Sequence, residues 1–135
     1  MQIETFVLCD AATDYFGKLN VLGAFDTIWS PNVPAVYPQC SLALRIRFSA
    51  IERGEHKVKV NFVDADGSHL IPAADGILNV NFSDQQRTGA ANLILNIQGL
   101  KLPKYGEYSI DLAVDDRALG SLPLYLRQPE KNFTS

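Results

Sequence analysis

Two histidines, two cysteines and several aspartates are the side chains of this sequence that could carry chemistry. His56 and His69 could act as general bases, Cys9 and Cys40 as nucleophiles or disulfide partners, and Asp64, Asp66, Asp115 and Asp116 as oxygen ligands for a cation. Their spacing matches no established arrangement. The histidines are not in the i, i+4 relation of H-E-x-x-H, no G-x-S-x-G elbow is present, and no glycine cluster resembles G-x-G-x-x-G or a phosphate loop. Asp64 to Gly67 begins like a calcium loop but lacks the later ligands of that motif, so its aspartates read as turn formers. A Ser/His/Asp set assembled by folding stays open, because triads are defined by geometry. The expectation is a noncatalytic protein with no cofactor and no metal.

Cys9 and Cys40 stand at the ends of predicted strands and could pair or remain as small buried hydrophobes. Two cysteines are too few for a disulfide scaffold. Residues 1–10 have no basic start and carry Glu4 inside their apolar run, unlike a signal peptide. No run approaches the roughly 20 apolar residues that cross a bilayer. Twelve basic against fifteen acidic residues leave a net charge of −3, which lacks the positive field that draws phosphate backbones or anionic lipid. The sequence therefore predicts a cytoplasmic bacterial protein without nucleic-acid or membrane partners. The sequons at Asn81 and Asn132 matter only in a secreted eukaryotic chain.

Recognition groups are more promising than catalytic ones. Outward positions Ile77, Asn79, Asn81, Asn92, Ile94, Asn96 and Gln98 are nearly uncharged and rich in amides, where exposed strands usually carry lysine and glutamate. Such a face is either plainly solvated or covered, most simply by a second copy in a two-fold homodimer. Arg45, Arg47, Lys57 and Lys59 form a basic strip if Glu52 to Gly54 closes a hairpin, with Arg47 opposite Lys59. Like charges so placed repel. Either Asp111 and Asp115 or an acidic partner protein would offset them. Loop parity gathers Trp29 to Gln39, including Tyr37, with 64–68, 83–90 and 115–117 at one end, which suggests a small-ligand or cation site. The duller alternative has Trp29 plugging the core and the prolines stiffening a long connection.

The elements that must position these groups are strands. Apolar residues alternate in Leu42 to Phe48, Val58 to Phe62, Leu78 to Phe82, Leu93 to Ile97, Tyr108 to Val114 and Leu122 to Leu126, with polar or glycine-bearing turns between. Residues 19–29 read as one strand if a bulge at Gly23 shifts the phase. Pro123 demands an edge or a strand start. Gly106 followed by Tyr108 and an alternating run resembles the tyrosine corner of an immunoglobulin sandwich. These features predict one all-β, immunoglobulin-like antiparallel sandwich of about seven to nine strands over residues 1–127, and a loose tail over 128–135.

Cys9 to Ala12, Gly17 to Asp26, Asp64 to Gly67 and Gly106 to Tyr108 give the whole chain its resemblance to an uncharacterised bacterial family of small single-domain Ig-like sandwich proteins. That resemblance implies the fold and carries no activity and no site residues. Ile110 stands where antibody domains have a cysteine, and the strand from Ser41 to Ala50 has no tryptophan, so the inter-sheet disulfide of those domains is absent. Function must come from sites, not from the fold.

Overall fold

The computed structural model describes residues 1–130. Of the expected tail, Gln128–Glu130 is included, while 131–135 and the sequon at Asn132 lie outside the described residues. Among the described residues the nine strands are Gln2–Tyr15 (β1), Lys18–Ala24 (β2), Thr27–Trp29 (β3), Ala35–Ser49 (β4), Gly54–Val63 (β5), Ala74–Val80 (β6), Thr88–Leu102 (β7), Gly106–Val114 (β8) and Arg117–Arg127 (β9). They form two sheets, β2-β1-β4-β7 and β3-β9-β8-β5-β6. All pairings are antiparallel except the short parallel one between β3 and β9.

The alternation read from the sequence builds the core. Leu42, Leu44, Ile46 and Phe48 from β4 face Val58, Val60, Phe62, Ile110, Leu112 and Val114 from the second sheet, and all are buried. Each such side chain contributes roughly 1.5–3 kcal/mol relative to exposure. The corner forms as expected: the Tyr108 hydroxyl donates to the Lys104 carbonyl at 2.6 Å and accepts from the Lys104 amide at 3.0 Å. It fixes the turn from β7 into β8, and with the two packed sheets it makes the fold an immunoglobulin-like sandwich.

Several expectations change. Residues 19–29 are two strands, not one bulged strand: β2 pairs with β1 without a register shift, and after Asp26 the chain crosses to the other sheet as β3. β3 pairs with β9 only from Tyr125 to Arg127, which leaves Pro123 on a stretch of β9 that is an edge, as proline requires. Glu52 to Gly54 does not close a hairpin. β4 and β5 belong to different sheets and are joined by a one-turn 3-10 segment, Ala50–Glu52, tied down where the Ser49 amide donates to Glu52 Oε1 at 2.8 Å.

β4 and β7 pair along fifteen residues each, well beyond the run that alternation marked. Cys40 opposite Ile97 and Tyr37 opposite Leu100 all turn toward the core, so both strands change phase together across Gln39 and Gly99. Gly99 accommodates this with φ +65, a conformation that costs other residues dearly.

Candidate functional site

The unpaired edge of β7 is the candidate recognition element of the sandwich. Among the described residues no strand pairs with its outer side, while its inner side is paired with β4 from Thr88 to Leu102. From Thr88 to Leu100 the strand carries no charge and no proline. Natural edges are usually blunted by lysine, proline, bulges or shortness. Leu93 and Leu95 face inward yet stay half-buried, because nothing flanks them on the open side. Near its start the edge is closed by Phe82, whose ring would lie 2.3 Å from a Cβ at Gly89, under the Arg53 guanidinium at 4.8 Å.

The expected amide face does not exist as one surface. Asn79 lies on β6 in the second sheet, Asn81 lies past the end of β6, and Asn92 and Asn96 lie on β7 in the first. Alternation cannot report that the chain changes sheet between two strands. Around Asn92 and Arg45 the outer side of β4 and β7 is covered by the chain itself: the tip of the β1–β2 hairpin folds back over it. Asn92 Nδ2 donates to Gly17 O at 3.1 Å and to Asp14 Oδ2 at 3.2 Å, and Arg45 Nη1 donates to Gly17 O at 3.2 Å and to Asn92 Oδ1 at 2.9 Å. Ala43 and Ser41 are buried on this outer side. Asn96 stays exposed and accepts from Ser41 Oγ at 2.7 Å.

Nor does the basic strip form. Arg45 and Arg47 lie on the first sheet and Lys59 on the second, opposite Asp75 and Ala113. The arginines are balanced by Glu4, not by Asp111 or Asp115. A register shift between Ile3 and Thr5 makes Glu4 the extra residue of a bulge, and its carboxylate accepts from Arg45 Nε at 2.8 Å and from Arg47 Nε. Arg47, with Arg45 behind it, holds the Glu4 carboxyl below the usual carboxylate range. Asp111 is engaged by Ser109 and Ser121.

The loops divide between the two ends differently from the expected parity. Leu70 and its neighbours form no strand; His69 makes an isolated bridge to Val63, so 64–73 is a single connection and every later loop changes end. Residues 30–34, 64–73 and 103–105 share one end, where Tyr105 Oη donates to Ser30 O at 2.9 Å. The other end holds 50–53, 81–87 and 115–116, joined by the Arg53–Asp84 ion pair at 2.5 Å. The expected cluster with Asp115 to Arg117 is therefore split. Residues 35–39 are strand, not loop.

Trp29 does not plug the core; it is 58% exposed and lines a groove of about 630 Å³ with Tyr105, Glu107, Tyr125 and Arg127. Tyr37 lies within β4, where its hydroxyl donates to Asp10 Oδ1 at 2.7 Å and its ring packs on Phe25. That bond, with burial, pushes its pKa up to about 12. Asp64 Oδ1 accepts from the Asp66 and Ser68 amides, as a turn former does. Among the described residues no group of three or more His, Cys, Asp or Glu is placed to hold a metal.

His56, Cys9 and Cys40 are packed into the sandwich. His56 is buried against Phe48 with Nδ1 2.6 Å from Asp115 Oδ2 and Nε2 2.5 Å from Glu52 O. Burial lowers its pKa, but the Glu52 carbonyl and the Asp115 carboxylate outweigh it and hold the imidazole above its ordinary value. Cys9 and Cys40 are buried free thiols, and burial pushes Cys40 up to about 11.

The model of a family of unknown function, DUF6941, matches residues 4–127. The chain belongs to that family. No curated protein matches this DUF6941 chain in sequence. Solved structures similar to it include an alkylpurine DNA glycosylase, AlkC, from Pseudomonas fluorescens bound to DNA containing an abasic site analog, with TM-score 0.48 and 11% identity over 93% of this chain and 30% of that one. The DUF6941 chain thus spans under a third of the glycosylase chain. Another is an immunoglobulin-like protein from Pseudomonas aeruginosa, with TM-score 0.38 and 11% identity over 93% of this chain and 95% of that one.

Proposed function

We propose that the protein is a noncatalytic interaction module of the cytoplasm that accepts a β-strand from another protein chain along the free edge of β7. One observation carries this reading: past Phe82, the unpaired edge of β7 runs from Ala90 to Leu100, eleven consecutive residues without a charge or a proline to repel a visiting strand. Main-chain hydrogen bonds supply affinity in strand addition, and half-buried Leu93 and Leu95 supply apolar contact. A net charge of −3 favours a protein partner over nucleic acid or anionic lipid. Two buried, unpaired thiols suit a reducing compartment.

The test compares the tagged native chain with Asn96→Lys and with Gln98→Lys, each placing a charge at an exposed position of the edge, by size exclusion from the same native lysate. Circular dichroism melts verify folding. The native protein should elute larger than one chain and both variants as one chain. Equal elution of native and variants, at either size, would overturn the reading.

A second reading is favoured by Trp29, whose exposed ring shares its groove with Tyr105 and Tyr125. It is a small-ligand site for aromatic or polar ligands, without the cation role that would have needed Asp115. Trp29 is the single tryptophan, so its fluorescence reports the groove directly. A flat titration across a metabolite panel would exclude this reading.

A further inference from the structure

We infer that the strand accepted by β7 is β7 of a second copy, paired antiparallel about a two-fold axis that passes by Ile94; this rests on the edge-addition reading above. The sequence of the edge identifies its own partner. Asn92, Leu93, Ile94, Leu95 and Asn96 read identically in both directions. In an antiparallel pair centred on Ile94, Ile94 faces its own copy, Leu93 faces the partner's Leu95, and Asn92 faces the partner's Asn96. Like then meets like at every position of the motif.

Each of these pairs is chemically sound. Asn92 Nδ2 is engaged by Gly17 and Asp14, but its Oδ1 accepts a single bond, from Arg45, and keeps a lone pair for the partner's amide, where two lysines or two glutamates would repel. Asn96 is exposed, and its Nδ2 makes no hydrogen bond among the described residues, so its donors are available. Centring the axis on a residue also preserves facing: because side chains alternate with period two, inward Leu93 and Leu95 meet inward partners and the two cores join along one seam. Leu93 and Leu95, half-buried in one chain, would gain the flank they lack.

The geometry closes. A two-fold axis uses the same edge on both copies and leaves none of it for a third chain, so an otherwise aggregation-prone run ends in a dimer instead of a fibre. The four-stranded sheet β2-β1-β4-β7 continues into its mate as one sheet of about eight strands, within the usual range for open sheets. Gly99, where β7 changes phase, and Phe82 over Gly89 bound the flat stretch on either side of the motif. The hairpin tip is pinned by Asn92 and Arg45 on the outer face.

Cysteine substitutions at single positions test the axis. In Ile94→Cys the new thiol faces its own copy, with Cα atoms about 4.5–5.5 Å apart, inside the span of about 4.4–6.8 Å that a disulfide bridges. In Asn96→Cys the two new thiols stand four residues apart along the pair, about 13 Å. Mild oxidation followed by non-reducing electrophoresis should convert most of Ile94→Cys, and little of Asn96→Cys, to a covalent dimer. Native Cys9 and Cys40 are buried and give the baseline. Linking of Asn96→Cys in place of Ile94→Cys would overturn the axis while leaving edge addition intact. No linking from either, with a foreign chain co-eluting with native protein and lost from Gln98→Lys, would overturn the second copy as partner and keep the edge reading. No linking and no such partner would overturn both.

Discussion

Asn92 Nδ2 donates to the carbonyl of Gly17 at 3.1 Å and so pins the tip of the first hairpin across a strand 75 residues further along the chain. The chain thus supplies its own cover over Asn92, while Asn96 and Gln98 further along β7 stay exposed.

Asn92→Ala should therefore loosen the hairpin without unfolding the sandwich. Loss of a hydrogen bond of this kind costs about 0.5–1.5 kcal/mol. Amide exchange over residues 11–24 should quicken several-fold while the melting temperature barely moves. Unchanged exchange there would show that the tip is held by other contacts.

His56 makes stability depend on pH in a defined direction. Both ring nitrogens face acceptors, Glu52 O and Asp115 Oδ2, and the folded pKa is raised above its ordinary value. The stabilising contribution is present in full below the unfolded value near 6.5 and is lost as pH rises through the folded one. Melting temperature should fall across that interval in native protein, and His56→Gln should flatten the fall. A native curve that rises there would contradict the doubly donating imidazolium.

Tyr108→Phe removes the hydroxyl that both donates to and accepts from Lys104 and leaves those backbone groups without it. The expected cost is about 1–3 kcal/mol, read as a lower midpoint in urea with an unchanged slope. A loss below the error of the titration would mean that the corner holds by shape alone.

Gly89→Ala would bring a Cβ to 2.3 Å from the Phe82 ring. Overpacking of this kind costs about 1–3 kcal/mol. Phe82→Ala in the same background should restore part of it, since the clash disappears with the ring. Absence of any rescue would place the damage elsewhere.

Strand content, the core and the tyrosine corner were legible because each depends on local alternation or on a short motif. Sheet membership was not. Leu78 to Val80 and Leu93 to Ile97 carry the same period-two signal, and nothing in either says that one lies in β6 of the second sheet and the other in β7 of the first. Likewise, Leu70 and Ile71 are as apolar as strand residues, yet they only pack against the core from a loop, so the loops after them lie at the opposite ends from those that parity predicts.

The candidate site was half legible. The missing charge between Thr88 and Leu100 is visible in the sequence and predicts an uncharged face, whereas the pairing order makes this stretch an edge. Arg45 and Arg47 looked like surplus charge because Glu4 sat in a short apolar run; only the bulge between Ile3 and Thr5 turns its carboxylate toward them. The palindrome around Ile94 was in the sequence too, but it acquires meaning only once β7 is known to end a sheet.

The measurement that bears most directly on this account is the mass of the purified native chain by light scattering across a hundredfold range of concentration, beside Gln98→Lys. The account predicts twice the mass of a single chain for native protein, falling toward one chain on dilution, and one chain throughout for the variant. A native mass of one chain at the highest concentration, or a dimer that the lysine leaves untouched, would contradict it.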